Sequence, residues 1–156
     1  MSATISQLQL ETYFLKEISY SVRDNLDVIP EKISQIEPVN LEIGDLTTQV
    51  NETNTDWRCE LTINSSNSEE EKSPFYNFRI VMVGFFKVHP DLPTDYAKAL
   101  AESNCPAVLY STSREIIATV TRRSPYPAVL LPLVTFVKVG EKPKPAKKPA
   151  KKKSVQ

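Results

Sequence analysis

The stretch from Asn104 to Phe136, NCPAVLYSTSREIIATVTRRSPYPAVLLPLVTF, constrains the fold most, because it carries more apolar surface than one short helix can bury alone. Leu109, Ile116, Ile117 and Val120 recur at helical spacing, with Arg114, Thr121, Arg122 and Arg123 as polar surface around them. One face of this helix is expected to be buried. Two starts fit. Pro106 suits a first turn because its φ is fixed and it has no amide proton, while Thr112 and Glu115 have capping-box spacing further in. Ser124 to Pro127 ends the helix, since Pro125 and Pro127 each push the preceding residue out of the α region. The segment Ala128 to Leu133 is almost wholly apolar, and reads either as core or as a surface meant for another chain.

Upstream, the pattern has period two. From Leu8 to Val22 the even positions Leu8, Leu10, Phe14, Ile18, Tyr20 and Val22 are apolar and the odd ones mostly polar, which predicts a long half-buried strand. Tyr13 and Leu15 break that pattern on the outer face. Arg23 to Asn40 contains Pro30 and Pro38 without a sustained period and reads as a crossover connection. Leu41 to Val50 alternates weakly, and Trp57, Cys59, Leu61 and Ile63 alternate cleanly against Arg58, Glu60 and Thr62. After the polar turn Asn64 to Ser73, the segment Phe75 to Val88 is dense in aromatic and β-branched residues, with Gly84 marking a bulge or a close approach. Pro90 and Pro93 end the sheet, and Thr94 is the expected cap of a short helix over Asp95 to Glu102. The predicted class is α+β: four antiparallel strands with a short and a long helix packed on one face. The other face, with Glu11, Glu17, Asn77 and Arg79, reads as solvated.

A chain of 156 residues with 40% hydrophobic content is long enough for one domain with a real core. Its formal charge of zero conceals a split: residues 1–140 carry 18 acidic and 12 basic side chains, whereas 141–156 carry seven lysines and one glutamate. The expected organisation is a domain over 1–140 and a disordered Lys/Pro-rich basic tail over 141–156. That tail lacks aromatic residues for base stacking, so contact with nucleic acid or anionic lipid would be sequence-blind and salt-sensitive. The opening MSATISQLQLETYF has neither a basic leader nor an apolar secretion core, and no run reaches the ~20 apolar residues of a membrane span. A cytoplasmic location is the expectation.

Catalytic chemistry finds little to work with. His89 is the sole histidine, Cys59 and Cys105 lack CxxC spacing, and the three glycines are isolated. These facts argue against a zinc site and against Walker or dinucleotide loops. No cofactor is expected. The best enzyme case is a Cys105 nucleophile activated by His89, with Pro106 placing the thiol at a helix start, but no third group orients the pair. A binding role is the preferred reading, with both cysteines as small buried residues.

The block from Asn104 to Phe136 resembles the carboxy-terminal half of the SecB protein-export chaperone family. The matching features are Cys105-Pro106 before the long helix, Arg114-Glu115-Ile116 within it, Arg122 or Arg123 near its end, Tyr126-Pro127, and Leu131-Pro132 before Val134 to Phe136. The first strand, around Leu15-Lys16-Glu17-Ile18-Ser19-Tyr20, is similar as well. The resemblance implies a four-stranded antiparallel sheet, a crossover over Arg23 to Asn40, and helices that assemble the chain into a dimer of dimers. It implies an ATP-independent holdase that binds unfolded preproteins along apolar grooves and passes them to SecA. Under it, Phe14, Ile18, Tyr20, Phe78, Met82, Phe86, Tyr126, Val129 and Leu131 are candidates for client binding. Leu109, Ile116, Ile117 and Val120 form the assembly helix, and Glu17 matches a SecA-docking carboxylate. Ser21 and Arg79 stand where further carboxylates would be expected, a departure that favours a dedicated client such as an antitoxin.

Overall fold

The computed structural model describes residues 4–22, 41–65 and 76–137. The expected crossover, the polar turn beyond Ser65 and the lysine-rich segment lie outside them. Four strands, β1 (Leu8–Val22), β2 (Leu41–Gln49), β3 (Asp56–Ser65) and β4 (Tyr76–Val88), precede one helix, α1 (Thr94–Thr121). The strands form one antiparallel sheet in the order β1-β4-β3-β2, so β1 and β2 occupy opposite edges and the chain crosses between them.

The even residues of β4, Tyr76, Phe78, Ile80, Met82, Phe86 and Val88, join Trp57, Cys59, Leu61 and Ile63 of β3 in a core beneath α1. Helix and central strand match in length: 28 residues of helix and 13 of strand both span roughly 40–45 Å. The sheet-facing row of α1 is Ala97, Ala101, Cys105, Leu109, Ser113, Ile117 and Thr121, one residue in every four, with Pro106 and Tyr110 beside it. Such a row of mostly small side chains brings the helix axis close to the sheet. Gly84 lies at that approach, because a Cβ there would sit 2.9 Å from Leu109 Cδ2 and 2.8 Å from Phe86 Cε2.

Two helices were expected where one is found. Pro106 lies inside α1 rather than at its start, and Thr112 and Glu115 lie mid-helix rather than at a cap. Pro106 has no amide proton to donate to the Glu102 carbonyl four residues back, and just before it polar side chains bond back to other carbonyls of the helix. Ser103 Oγ donates to the Ala99 carbonyl at 2.9 Å, and Asn104 Nδ2 to the Leu100 carbonyl at 2.9 Å. The cap also differs: Pro93 occupies the N-cap position and Thr94 is the first helical residue, its hydroxyl accepting from Asn54 Nδ2.

Beyond the helix, residues 122–137 form an irregular strap that doubles back along α1, held by side chains that reach its backbone. Tyr110 Oη donates to the Pro132 carbonyl and Arg114 Nε to that of Leu131. Tyr76 Oη donates to the Pro127 carbonyl, and the Tyr110 and Phe136 rings meet edge to face at 5.9 Å. Thr121 is the pin at the turn. Its buried hydroxyl donates to the Ile117 carbonyl at 2.8 Å and accepts the Val129 amide at 2.8 Å. Thr121→Val is expected to lower stability by about 1–3 kcal/mol, because the Val129 N–H loses its acceptor inside the fold. Urea unfolding checks this; an unchanged midpoint would mean that the strap contributes nothing to folding.

The alternation read along β1 is corrected in its middle. Leu10 pairs with Phe86 but Thr12 with Phe85, and Leu15 pairs with Met82 but Glu17 with Val81, so Glu11 and Lys16 are each one residue extra. Each bulge inverts which parity faces the helix. Between them Tyr13 and Leu15 stand on the helix side, opposite Gly84 and Met82, while Phe14 is turned to the outer face opposite Val83. After Lys16 the even residues Ile18, Tyr20 and Val22 return to the helix side.

Candidate functional site

The helix does not cover the whole sheet. Leu10, Tyr13, Leu15 and Ile18, all on the helix side of β1, are 38, 48, 40 and 39% exposed. They form an apolar band along the free edge strand. The band runs toward Tyr20, whose ring lies 5.8 Å from that of Tyr76, itself edge-on to Tyr126 at 6.1 Å. Tyr20 Oη is buried and has no hydrogen-bond partner among the described residues. On the strap, Leu130, Leu133 and Val137 face outward.

The predicted client residues divide into two groups. Phe14 and Ile18 are exposed and Tyr20 is half-buried, all on β1, although Phe14 points to the outer face and the other two to the helix side. Phe78, Met82, Phe86, Tyr126, Val129 and Leu131 are core in this chain, buried beneath α1 or under the strap. Leu10, Tyr13 and Leu15 were not among the predicted residues, although a signal existed: the even positions Thr12 and Lys16 are polar where Tyr13 and Leu15 are apolar. Of the predicted assembly residues, Leu109 and Ile117 are fully buried against the sheet, whereas Ile116 and Val120 are only half-buried.

The outer sheet face is less solvated than expected, because Val81 and Val83 are buried there as well. Long charged side chains lie across it: Lys16 Nζ reaches over β4 to Glu60 at 3.1 Å, and Arg58 meets Glu60 at 2.7 Å. These partners hold the Glu60 carboxyl below its ordinary range, the hydrogen bond from Arg58 first. Glu17, the predicted docking carboxylate, pairs with Arg79 at 3.0 Å, and Glu11 with Lys87 at 3.5 Å. These are exposed pairs of small energetic weight, but they neutralise the acidic groups on this face.

Cys59 and Cys105 are free and fully buried between helix and sheet. Burial pushes the Cys59 thiol up to about 11, and it raises Cys105 as well, with a further contribution from Cys59. His89 does not serve Cys105. It is exposed, its Nδ1 accepting from the Asp91 amide. Iodoacetamide at mildly alkaline pH is therefore expected to label neither thiol in the native state and both after unfolding; rapid native labelling of Cys105 would contradict this. The sign with pH follows. The fold favours the protonated thiol, so Cys59 supports the fold fully below its ordinary value of 9.0 and loses that support as pH climbs toward 11. Among the described residues no cluster of three or more His, Cys, Asp or Glu could hold a metal, and no helix is long and apolar enough to cross a membrane.

The chain is 29% identical over 141 residues to a protein-export protein SecB of Afipia carboxidovorans, covering 87% of this chain and 81% of that one. A protein of the same name from Nitrobacter hamburgensis is 24% identical over 131 residues, covering 84% and 79%. Among solved structures, the SecB-like chaperone Rv1957 of Mycobacterium tuberculosis, in complex with a ChAD peptide from the Rv1956 HigA1 antitoxin, superposes with a TM-score of 0.57. It covers 81% of this chain and 90% of its own at 15% identity, a likeness of fold. The preprotein translocase subunit SecB family matches residues 2–144, and with its four-stranded antiparallel sheet under a single long helix the chain belongs to that family.

Proposed function

We propose that the chain is an ATP-independent holdase that binds unfolded polypeptides through the apolar band of β1 and keeps them from aggregating. The observation that carries this reading is the row Leu10, Tyr13, Leu15 and Ile18, left exposed on the edge strand β1 among the described residues. An apolar surface recognises side-chain character rather than order, and gains about 25 cal/mol per Å² of apolar area removed from water. Ile18 and Tyr20 are retained as client contacts with Leu10, Tyr13 and Leu15 added, Phe14 lies on the other face of the sheet, and Phe78, Met82, Phe86, Tyr126, Val129 and Leu131 support the groove from beneath.

The working form is an oligomer, a dimer of dimers, in which Ile116 and Val120 of α1 face a second copy and several bands act together on one long client. Linked weak contacts then multiply into avidity. The domain spans residues 1–140 and works in the cytoplasm ahead of export, and the names of the relatives support the export part of that role.

A second reading differs only in the client. Glu17 is paired with Arg79, and residue 21 is serine, so the outer face offers SecA few free carboxylates. The solved relative, moreover, holds an antitoxin peptide. A dedicated client fits both facts. The holdase is tested by light scattering from an unfolded client diluted with and without the full chain. Suppression at near-stoichiometric protein is expected, and unchanged scattering would end both readings. Capture of purified SecA at low salt then favours export, and no capture favours the dedicated client.

A further inference from the structure

Helix α1 is held unevenly along its length. Pro106 divides it into a first half, 94–105, and a second half, 107–121, and the helix residues that latch the strap, Tyr110, Arg114 and Thr121, all belong to the second. The halves also differ in what they bury. The first sets Ala97, Ala101 and Cys105 against the sheet, with Leu100 half-buried beside them, whereas the second sets Leu109 and Ile117 there. Small side chains remove little apolar area from water, so the first half gains less from its seat. At the junction the helix ladder lacks a rung, because Pro106 has no amide proton to send back four residues. A segment that is lightly seated and set off by a missing rung is suited to open as a unit.

What lies beneath that half is apolar. It starts beside Asn54, whose Nδ2 donates to Thr94 Oγ1 at 3.3 Å, and Leu109 just past its end stands over Gly84. The strip it covers is therefore Trp57 and Cys59 of β3 with Phe86 and Val88 of β4. We propose that residues 94–105 swing off the sheet about Pro106 and uncover this strip as an extension of the client band. The proposal rests on the holdase reading and adds a second, normally closed surface to it. Leu10 of the exposed band pairs with Phe86, and Phe86 with Trp57, so the strip continues the band without a gap. At rest it is shut, each of the four residues being at most 3% exposed. A client that runs past Leu10 replaces the apolar contacts that the half-helix gives up, and so shifts the population toward the open form.

Hydrogen exchange of the full chain tests this. Without client, the amides of 98–105 are expected to exchange at one common rate, about tenfold or more faster than those of 110–120, with the step at Pro106. Pro106→Ala supplies the missing rung and should slow the first half by about a hundredfold, closing the step. An unfolded client without cysteine should speed exchange in 98–105 and let iodoacetamide reach Cys59 and Cys105. A smooth gradient inward from Thr94, which is ordinary end fraying, would overturn the proposal, as would a step that survives Pro106→Ala. So would exchange and thiol labelling that a bound client leaves unchanged or slows. In that last case suppression of scattering by the same client would still stand, so failure of the opening is separable from failure of the holdase reading.

Discussion

Gly84→Val is expected to destabilise the protein by about 2–3 kcal/mol, read as a lower urea midpoint at unchanged slope. Gly84 sits mid-strand on β4, between Tyr13 and Cys59, directly under α1. A Cβ there would lie 2.8 and 3.2 Å from two atoms of the Phe86 ring and 2.9 Å from Leu109 Cδ2. These are the tips of side chains, which elsewhere could swing aside. Here both belong to residues at most 2% exposed, in an interior packed on every side. Leu109→Ala alone should also destabilise, by roughly 2–5 kcal/mol, through the cavity it leaves. Combined, the two changes should cost less than their sum, because the valine fills space that the leucine vacates. Strict additivity would show that the contact does not set the helix-to-sheet distance.

Ile18→Asp is expected to leave the chain folded and to weaken its hold on an unfolded client. Ile18 is already 39% exposed, so an aspartate there is not forced into the core of its own chain. Under a client that covers the β1 band, the same aspartate would be desolvated without a partner. That penalty of about 3–5 kcal/mol raises the dissociation constant for the client by roughly two to four orders of magnitude. Light scattering from the diluted client distinguishes the outcomes. Leu46→Asp, on the opposite edge strand β2 at an even more exposed residue, is the control and should leave suppression unchanged. Suppression unaltered by Ile18→Asp would remove β1 from the client-binding surface.

What the sequence could and could not convey follows from where each signal resides. Strand patterns in β3 and β4 were legible because both faces of each strand have a regular partner, and glycine alone pointed to a bulge or a close approach at Gly84, of which the structure has the approach. The face of β1 was not. Parity along a strand is local, but a bulge is a property of a pair of strands, and Glu11 and Lys16 become extra residues only against β4. Pro106 misled in a similar way: proline at a helix start and proline inside a helix look alike until Ser103 and Asn104 are seen bonding to the preceding turn. The candidate site was half legible for the same reason. Ile18 lies in the exposed band, but Phe14 is turned to the outer face, Tyr13 and Leu15 were assigned to the wrong face, and residues such as Phe78 and Met82 were apolar for the sake of the core. The polar latches of the strap, Tyr76, Tyr110 and Thr121, leave no pattern at all, since each reaches a backbone carbonyl or amide.

A sheet with two open edges invites endless growth, the β1 edge of one molecule docking on the β2 edge of the next until a fibre results. The two irregularities in β1 work against that outcome. A strand that carries an additional residue at Glu11 and another at Lys16 no longer matches the even ladder of β2, whose pairing with β3 has no such break.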